Sequence, residues 1–502
     1  MYQLYYTWQW HWSMSNRNGM INYLLKNIVL ILLIFLYSCK ESNVTWSYVD
    51  EILDRIESPV FPERSYNIID FGAIGDSITD CTSAITNAIN TCSEEGGGKV
   101  IVPAGTFLTG ALHMKSNVNL YIADNASLLF SKDLTKYLPV VHARFEGNDL
   151  MNYSPLIYAR GQKNIAITGK GTLDGNADTV TWWPWKGKKN FGWSEELPYQ
   201  KDDRNRLVEM ANAGVPLEER IFGEGHFIRV NFIQFLESEN ILIENVTIRR
   251  SPMWGINPVL CTNVTVRGVT IISHGPNNDG CNPESCKDVL IENCYFNTGD
   301  DCIAIKSGRE GDGRRINIPS EDIIIRNCEM KDGHGGVVIG SEISGGCRNI
   351  FIENCKMSSP NLDRALRIKS NSRRGGLIEN IFMRDVQIGE VKQAVILVNF
   401  FYAEGDVGEY TPEVRNIFVE NVSSEKSQYA IWLKGYERSP VTDIHISDCR
   451  FNGVADGNVI SHVKNLEFRN VYINGKKITK EYLSDLNTVK NKQDKESYNY
   501  TP

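Results

Sequence analysis

A nine-residue pattern of alternating apolar and polar positions recurs along the second half of this 502-residue chain. Each copy opens with Asn or Asp and continues with a run rich in β-branched residues. Such runs are too short for helices, and their period of two residues is typical of strands. The copies start 22 to 36 residues apart, at Asn240, Asn263, Asp288, Asp322, Asn349, Asn380, Asn416, Asp443 and Asn465.

Strand repeats of this period predict a solenoid. A unit with strands and almost no helix cannot bury its apolar face alone, so it must stack on its neighbours. The predicted fold is therefore all-β, a single-stranded parallel β-helix. Before the repeats, Asp80 to Ile89 has helical apolar spacing, and Gly96 to Phe107 has a glycine turn that leads into a strand. We expect this piece to form an N-terminal helical cap over the open edge of the first coil.

Composition indicates a soluble globular protein, since 42% of the residues are apolar and 23% are charged. The length alone would suggest several domains, but no Pro/Ser-rich linker interrupts the repeats. We predict one β-helix domain over residues 65–478, with an insertion at 181–233, a linker at 40–64 and a polar tail at 479–502. The net charge of −8 argues against a nucleic-acid partner.

Residues 1–39 are interpreted as an N-terminal extension followed by an export signal. Residues 1–19 resemble no targeting element, whereas Asn22 to Ser38 has the features of such a signal. Lys26 precedes an apolar run from Ile28 to Leu36, which is too short to span a membrane. Residues 36–39 resemble a bacterial lipobox, which implies that Cys39 becomes the lipidated first residue of the mature chain. The prediction is an exported bacterial protein, lipid-anchored in the periplasm or at the outer membrane.

Twelve cysteines in an exported protein raise the possibility of disulfides. Cys281 with Cys286, and Cys81 with Cys92, are two possible pairs. Four others occupy a repeat position that Val fills elsewhere, which favours small, stacked core residues. These four are Cys294, Cys328, Cys355 and Cys449. No spacing is typical of a zinc site, and no metal or other cofactor is predicted.

Four polar segments fall between the predicted strands at spacings that match the repeat. Asp279 and Asp300 are 21 residues apart, and 33 residues separate Asp301 from His334 and His334 from Arg367. Matching positions on four stacked coils span only about 15 Å, because neighbouring strands lie ~4.8 Å apart. One groove is therefore predicted to hold Asp279, Asp300, Asp301, His334, Arg367 and Lys369.

Each segment alone has a simpler interpretation. Adjacent aspartates after Gly299 are typical of a solvated turn, and Asp279 after an Asn is typical of an Asx turn. A single loop histidine usually has no function, and two cations two residues apart on a strand often form a solvated face. Together, however, the segments suit glycoside hydrolysis, which needs one carboxylic acid and one carboxylate. Crowding these carboxyl groups should raise the pKa of at least one of them.

These segments resemble glycoside hydrolase family 28, the polygalacturonases, and in particular bacterial exo-acting members. The resemblance covers residues 65–475 and rests on Asn278–Gly280 with Pro283–Cys286, Thr298–Gly308, Gly333–Ser341 and Arg367–Ser370. One departure is Asn282, where many relatives carry Asp. The resemblance implies a right-handed, pectin-lyase-like β-helix.

The resemblance also implies roles for the site residues in an inverting mechanism. Asp300 would be the general acid, Asp279 and Asp301 would jointly activate water, and His334 would support the carboxylates. Polygalacturonate carries a carboxylate on every sugar, and we therefore expect Arg367 and Lys369 to bind substrate. The predicted reaction is hydrolysis of α-1,4-galacturonosidic bonds in a pectic polysaccharide or oligogalacturonide by a monomer.

The insertion at 181–233 is rich in aromatic and charged residues and breaks the repeat. Such an excursion either packs over the coils or forms a wall of the groove. If it blocks one end of the groove, the enzyme would release sugars from chain ends, which is the outcome we favour. Tyr402 is a further candidate for substrate binding.

Three alternatives stay open at this point. A rhamnogalacturonan hydrolase could use the same aspartates on the same fold. A lyase on this fold would need calcium, and the Asp-Asp and Gly-His-Gly segments argue against it. A non-catalytic glycan-binding β-helix is disfavoured because all three aspartates are present.

Overall fold

The repeats form strands, and the chain turns between them at corners. Each copy has two residues with a left-handed backbone conformation at these corners. The protein is described here by a computed structural model covering residues 44–479. In the first copy, Asn240 and Asn245 have φ of 59° and 62°. The equivalent residues of every later copy, all Asn or Asp apart from Gly268, also have positive φ. Asn and Asp adopt this conformation more readily than other non-glycine residues, which explains why the pattern repeats them.

The first sheet holds thirteen parallel strands, one from each coil. Its strands are Ser65–Asn67, Gly98–Val102, Val118–Ile122, Lys163–Gly169, Glu239–Glu244, Thr262–Arg267, Lys287–Glu292, Ser320–Arg326, Cys347–Glu353, Leu377–Arg384, Glu413–Glu420, Val441–Ser447 and Val463–Arg469.

Two further sheets complete each coil, and the long strand Ser423–Lys434 belongs to both. The second sheet also contains Asp76–Asp80, Gly105–Thr109, Ala126–Phe130, Thr172–Asp174, Thr247–Arg249, Thr270–Ser273, Tyr295–Thr298, Glu329–Met330, Lys356–Met357, Gln387–Glu390, Arg450–Phe451, Tyr472–Ile473 and the antiparallel Lys476–Lys477. The third also contains Leu112–His113, Ile157–Arg160, Ile233–Leu236, Ile256–Val259, Ile303–Ile305, Val337–Ile339, Arg364–Lys369, Ala394–Asn399 and Val454–Ser461.

Within residues 44–479, four α-helices lie outside the coils: α1 (Tyr48–Arg55), α2 (Thr82–Glu94), α3 (Lys201–Ala213) and α4 (Glu310–Ile316). The predicted cap helix is confirmed as α2, and the Asp80 carboxylate accepts a hydrogen bond from the backbone N–H of Thr82 at 2.9 Å. The prediction of a right-handed parallel β-helix with an N-terminal cap is thus confirmed. Short 3₁₀ helices are Ile68–Phe71, Leu134–Tyr137, Trp183–Lys186, Lys189–Phe191 and Leu217–Glu219.

Helix α1 stands where the sequence predicts a linker. Trp46, just before it, packs on Phe351 and Phe382 of the first sheet, with ring centroids 5.5 and 6.0 Å away. Arg55 at its end donates to Asp288 and Asp322 at 2.6 and 2.8 Å. An eight-residue helix is marginal in water, so these tertiary contacts stabilise it.

The core runs along the axis of the coils and is filled by stacked apolar side chains. The four cysteines at the repeat's Val position are buried there. All eleven cysteines in the described part of the chain are buried and free. The possible Cys281–Cys286 and Cys81–Cys92 disulfides are therefore not formed, since each thiol fills core space instead.

A small outer sheet lies beside the third sheet. It consists of Val141–Phe145 and Asn148–Asn152, which form a hairpin, and Ile221–Phe222 from the insertion. Among residues 44–479, no helix is both long and apolar enough to cross a membrane. The predicted signal segment with Cys39, and the tail from residue 480 onwards, lie outside the described residues.

Candidate active site

The predicted site segments lie at the third sheet on four consecutive coils. The Gly280 N–H donates to the Asp301 carbonyl at 3.0 Å, and the Cys302 N–H donates to the Gly335 carbonyl at 2.8 Å. On the next coil, Arg367 is the register partner of Val338. The structure therefore brings the six side chains proposed from the spacing into one place.

The adjacent aspartates lie at a bend just before the strand Ile303–Ile305. A Cβ on Gly299 would lie 2.5 Å from the Gly275 carbonyl oxygen, so only glycine lets the chain pass this close. The bend releases Asp300 and Asp301 from the strict alternation of a strand. Both side chains consequently reach the same site.

The three carboxylates form a tight cluster. One oxygen each from Asp279, Asp300 and Asp301 all lie within 4.8 Å of one another. Asp279 is 3% exposed and accepts a hydrogen bond from the Asn282 amide at 2.8 Å. Burial and the negative charge of Asp300 raise the pKa of Asp279 well above its ordinary value. Asp279 is therefore a carboxyl group that can keep its proton at mildly acidic pH.

Asp300 has the opposite character. Its Oδ1 lies 3.0 Å from His334 Nδ1, and its Oδ2 accepts from Asn277 Nδ2 at 3.3 Å. Burial opposes ionisation of this group, but the His334 charge and hydrogen bond, with the nearby cations, hold the pKa of Asp300 well below its usual range. Reciprocally, the Asp300 charge raises the pKa of His334. The two pKa shifts thus both favour the charged forms, an imidazolium beside a carboxylate.

Asp301 is 1% exposed and contacts two cations. Lys369 Nζ donates to its Oδ2 at 2.7 Å, and an Arg367 nitrogen lies 3.5 Å from its Oδ1. Both cations also lie against the Tyr402 ring, 5.3 and 5.6 Å from its centroid. Arg367 and Lys369 do face the same way, as a strand requires, but in this structure they hold Asp301.

These groups line one pocket, here named the aspartate pocket. Its walls come from coils on both sides of the aspartates and from three elements outside the coils. They are Glu146, Arg204, Trp254, Asn277, Asp279, Asp300, Asp301, Lys306, Ser341, Glu342, Lys369, Arg374, Tyr402, Ala403 and Glu404. A more open cleft adjoins it, lined by His334, His274, Asp332, Asp363 and Lys392 among others.

Comparison with known proteins identifies the family. Residues 226–477 match glycosyl hydrolases family 28, and residues 65–130 match rhamnogalacturonase A/epimerase, pectate lyase-like. An exopolygalacturonase structure from Thermotoga maritima is 49% identical, with a TM-score of 0.84, over 86% of this chain and 96% of that one.

The chain belongs to glycoside hydrolase family 28.

Two curated family 28 relatives extend the comparison. A probable polygalacturonase from Vitis vinifera is 28% identical over 84% of this chain and 80% of its own length. An exo-poly-alpha-D-galacturonosidase from Dickeya chrysanthemi is 28% identical over 82% of this chain and 75% of its own length.

The family 28 site also contains a buried cation that the sequence analysis missed. Lys306, 3% exposed, lies 3.0 Å from Glu342 Oε2 and 4.6 Å from the centroid of the Trp254 ring. Burial opposes its charge, but Glu342, Asp279 and Asp301 raise the pKa of Lys306. Lys306 follows the Asp-Asp segment by five residues, and its strand position facing the site was the available signal.

Two more ion pairs line the aspartate pocket. Arg204 of α3 donates to Glu146 at 2.6 Å, and Arg374 donates to Glu404 at 2.7 Å. Glu146 lies in the outer hairpin and Glu404 in the loop after Ala394–Asn399. None of these four lies in a repeat position, so the pattern gave no sign of them.

The insertion at 181–233 both packs over the coils and contributes to the pocket. Trp182 is 1% exposed and packs edge-on against Tyr137 and Trp185, 5.4 and 5.0 Å away. The Trp183 indole donates to the Ser251 carbonyl at 2.9 Å. In the described pocket lining, the insertion supplies Arg204 and no aromatic residue.

Proposed function

We propose that this family 28 enzyme hydrolyses α-1,4-galacturonosidic bonds of polygalacturonate from chain ends, with inversion. One observation carries the proposal: the three carboxylates and Lys369 line one pocket, and Arg367 lies 3.5 Å from Asp301 beside it. Glycoside hydrolysis needs an acid and a base, and a galacturonate sugar brings a carboxylate that cations bind.

In the proposed reaction, Asp300 delivers a proton to the leaving oxygen. The Asp300–His334 pair shares one proton across 3.0 Å, so transfer from Nδ1 to Oδ1 makes Asp300 the acid. A water held between Asp279 and Asp301 loses a proton to the Asp301 carboxylate and attacks the anomeric carbon, while the bond from that carbon to the leaving oxygen breaks and the leaving oxygen takes the Asp300 proton. Asp301 carries the negative charge of that base, because Lys369 and Arg367 hold it.

The carboxylates lie closer together than the roughly 6.5–9.5 Å between carboxyl groups that inverting enzymes generally use. The family resemblance nevertheless supports inversion. A water held between two carboxyl groups on adjacent coils, Asp279 and Asp301, also needs these groups to be closer together than a single opposed pair does.

Exo action is supported by the walls of the aspartate pocket. The pairs Arg204–Glu146 and Arg374–Glu404 stand on elements outside the regular coils and line the site. Walls added to a groove in this way favour binding of the end of a polymer over binding of its middle. The relatives from Thermotoga maritima and Dickeya chrysanthemi are both named as exo-acting.

The test is the product profile from de-esterified polygalacturonate with a chelator present, compared with Asp300→Asn. We expect saturated monogalacturonate from the native enzyme and none from the variant. A ladder of oligomers would overturn exo action, and unsaturated products would overturn hydrolysis. If polygalacturonate gives no product, rhamnogalacturonan is the next substrate, because residues 65–130 match the rhamnogalacturonase-type family. Product from neither polymer would favour glycan binding without catalysis.

We also propose that the enzyme is an exported, lipid-anchored monomer in the periplasm or at the outer membrane, with Cys39 as the lipidated residue. The support is the apolar run before Cys39 and the lipobox-like residues 36–39. Fractionation of a bacterial host that expresses Cys39→Ser tests it. The variant should leave the membrane fraction, and unchanged membrane recovery would contradict the anchor.

A further inference from the structure

We propose that Arg229 is a positioning residue that acts on Asp300 through Asn277. Arg229 lies in the insertion and is 1% exposed. Its guanidinium donates to Asn277 Oδ1 at 2.7 Å and to the Pro276 carbonyl at 2.6 Å. Asn277 in turn donates from Nδ2 to Asp300 Oδ2 at 3.3 Å. This inference rests on the proposed role of Asp300 as the acid.

The chemistry of arginine fixes which way the Asn277 amide points. A guanidinium has only donors, so the amide atom facing Arg229 must be the oxygen. The amide NH₂ is thereby turned towards Asp300. Asn277 also has a left-handed backbone, with φ of 54°, and the bond from Arg229 to the Pro276 carbonyl holds the chain beside it.

Two further contacts of Arg229 tie the site to α3. Its Nε donates to Gln200 Oε1 at 3.0 Å, just before α3, and its Nη1 also lies 3.3 Å from the Pro252 carbonyl. Gln200 is 2% exposed. Arg229 therefore bridges the insertion and the turn that carries Asn277 and Asp279.

This arrangement favours the acid step. When Asp300 gives its proton to the leaving oxygen, it becomes a carboxylate, and a donor aimed at Oδ2 stabilises that charge. Without the donor, Asp300 is a weaker acid. Its pKa rises, so proton transfer to the leaving oxygen becomes slower although substrate binding is retained.

The experiment measures pH profiles of kcat and kcat/KM for Arg229→Met and Asn277→Ala. We expect kcat to fall about tenfold with little change in KM. Because the acid must be protonated to act, a raised pKa should move the alkaline limb of the profile to higher pH. The alkaline limb should shift by the same amount in both variants. The shift should not be larger in the double variant, because both substitutions remove the same hydrogen-bond donor to Asp300.

The titration of His334 provides a readout that needs no turnover. Losing the Asn277 donor leaves more of the Asp300 charge to act on the imidazole, so His334 should titrate at higher pH in NMR spectra of both variants. His334→Gln assigns the signal. This measurement stands even if native protein fails to cleave polygalacturonate, which would defeat the proposed function alone.

Arg220→Met is the matched control for a buried arginine of the same insertion. Arg220 donates to the Val215 and Asp149 carbonyls and to Asp312, and none of these hydrogen bonds involves Asn277. The Arg220→Met variant should have a lower unfolding midpoint, but its alkaline limb and its His334 titration should match those of the native enzyme. If Arg229→Met loses activity with both readouts unmoved, or fails to fold while Asn277→Ala moves neither, the relay is wrong.

Discussion

The contacts of Asp301 show that Arg367 and Lys369 stabilise a buried carboxylate, in addition to their proposed role in substrate binding. It is almost completely buried, and Lys369 is its nearest cation. The sequence predicts that Arg367 and Lys369 bind substrate and gives no sign that they also hold a buried carboxylate. A buried carboxylate that loses its partner is strongly destabilising, so the structure adds an effect on stability to that prediction.

Lys369→Met should therefore lower the free energy of unfolding by about 3 kcal/mol and reduce kcat about a hundredfold. Adding Asp301→Asn removes the unpaired charge and should restore most of the stability without the activity. Urea unfolding and turnover of polygalacturonate check both parts. The control is Lys163→Met, whose pair with Glu239 is exposed at 69% and 54% and should contribute under about 1 kcal/mol. Equal losses in the single and double variants would contradict the pairing argument.

Asp279 gives a prediction about how the free energy of unfolding depends on pH. Its folded pKa is raised above the ordinary value of 3.8, chiefly by burial. It therefore favours the folded state below the unfolded pKa, and this contribution is lost as pH rises towards the folded pKa. Asp279→Asn should be inactive but more stable than the native enzyme at pH about 7, by about 1.4 kcal/mol for each unit of the shift.

Urea unfolding of Asp279→Asn at several pH values tests this expectation. The gain over the native enzyme should appear above pH about 4 and grow with pH, because the amide cannot ionise. A difference that does not depend on pH would show that the pKa of Asp279 is not raised.

At the scale of elements, the corner residues combine two effects. Asn380 has φ of 58°, donates to Asn349 and accepts from Asn416, both at 3.0 Å. The side chains thus form a ladder along the coils, while the backbone turns at each step. The sequence repeats Asn or Asp there because few other side chains satisfy both demands.

Asn380→Ala should cost about 3 kcal/mol, since it loses two ladder hydrogen bonds and places alanine in a left-handed conformation. Asn380→Gly loses the same bonds without the backbone cost and should cost about 1 kcal/mol less. Thermal and urea unfolding distinguish the two. Asn205→Ala on the exposed face of α3 is the control and should stay within about 0.5 kcal/mol of native. If glycine were the worse replacement, the backbone argument would fail.

The elements also show where sequence reasoning succeeds. Stacking repeats the same environment on every coil, so spacing alone placed Asp279, Asp300 and His334 together. Arg229 and Lys306 were missed because their partners depend on how far a side chain reaches in three dimensions. Helix α1 was taken for a linker because its stability comes from Trp46 and Arg55 meeting the first sheet, which no local pattern encodes.

At the scale of the whole molecule, both the enzyme and its polymeric substrate carry a net negative charge. The net charge of −8 repels polygalacturonate at long range, whereas Arg367 and Lys369 attract only at contact. Raising ionic strength from about 0.01 M to 0.1 M shortens the screening length from about 30 Å to 10 Å. We expect kcat/KM for long polygalacturonate to rise several-fold, with kcat unchanged.

A short oligogalacturonide is the control for this salt dependence, because it carries fewer charges and should respond less. Steady-state rates at matched pH give the comparison. A fall in kcat/KM with added salt would mean that the site cations, rather than the overall charge, govern the encounter.

The corners of the coils set what evolution and engineering can alter in this enzyme. The copies of the pattern start 22 to 36 residues apart, so the longer coils contain extra chain that leaves the stack at corners. Loops of new length can be grafted there without disturbing the coil beneath. Deleting one whole coil between Asp279 and Arg367 would instead remove a catalytic group, and the neighbouring coils would then stack directly on each other. Changes in the loops can therefore alter substrate specificity, whereas the catalytic residues stay together only while the number and order of the coils are kept.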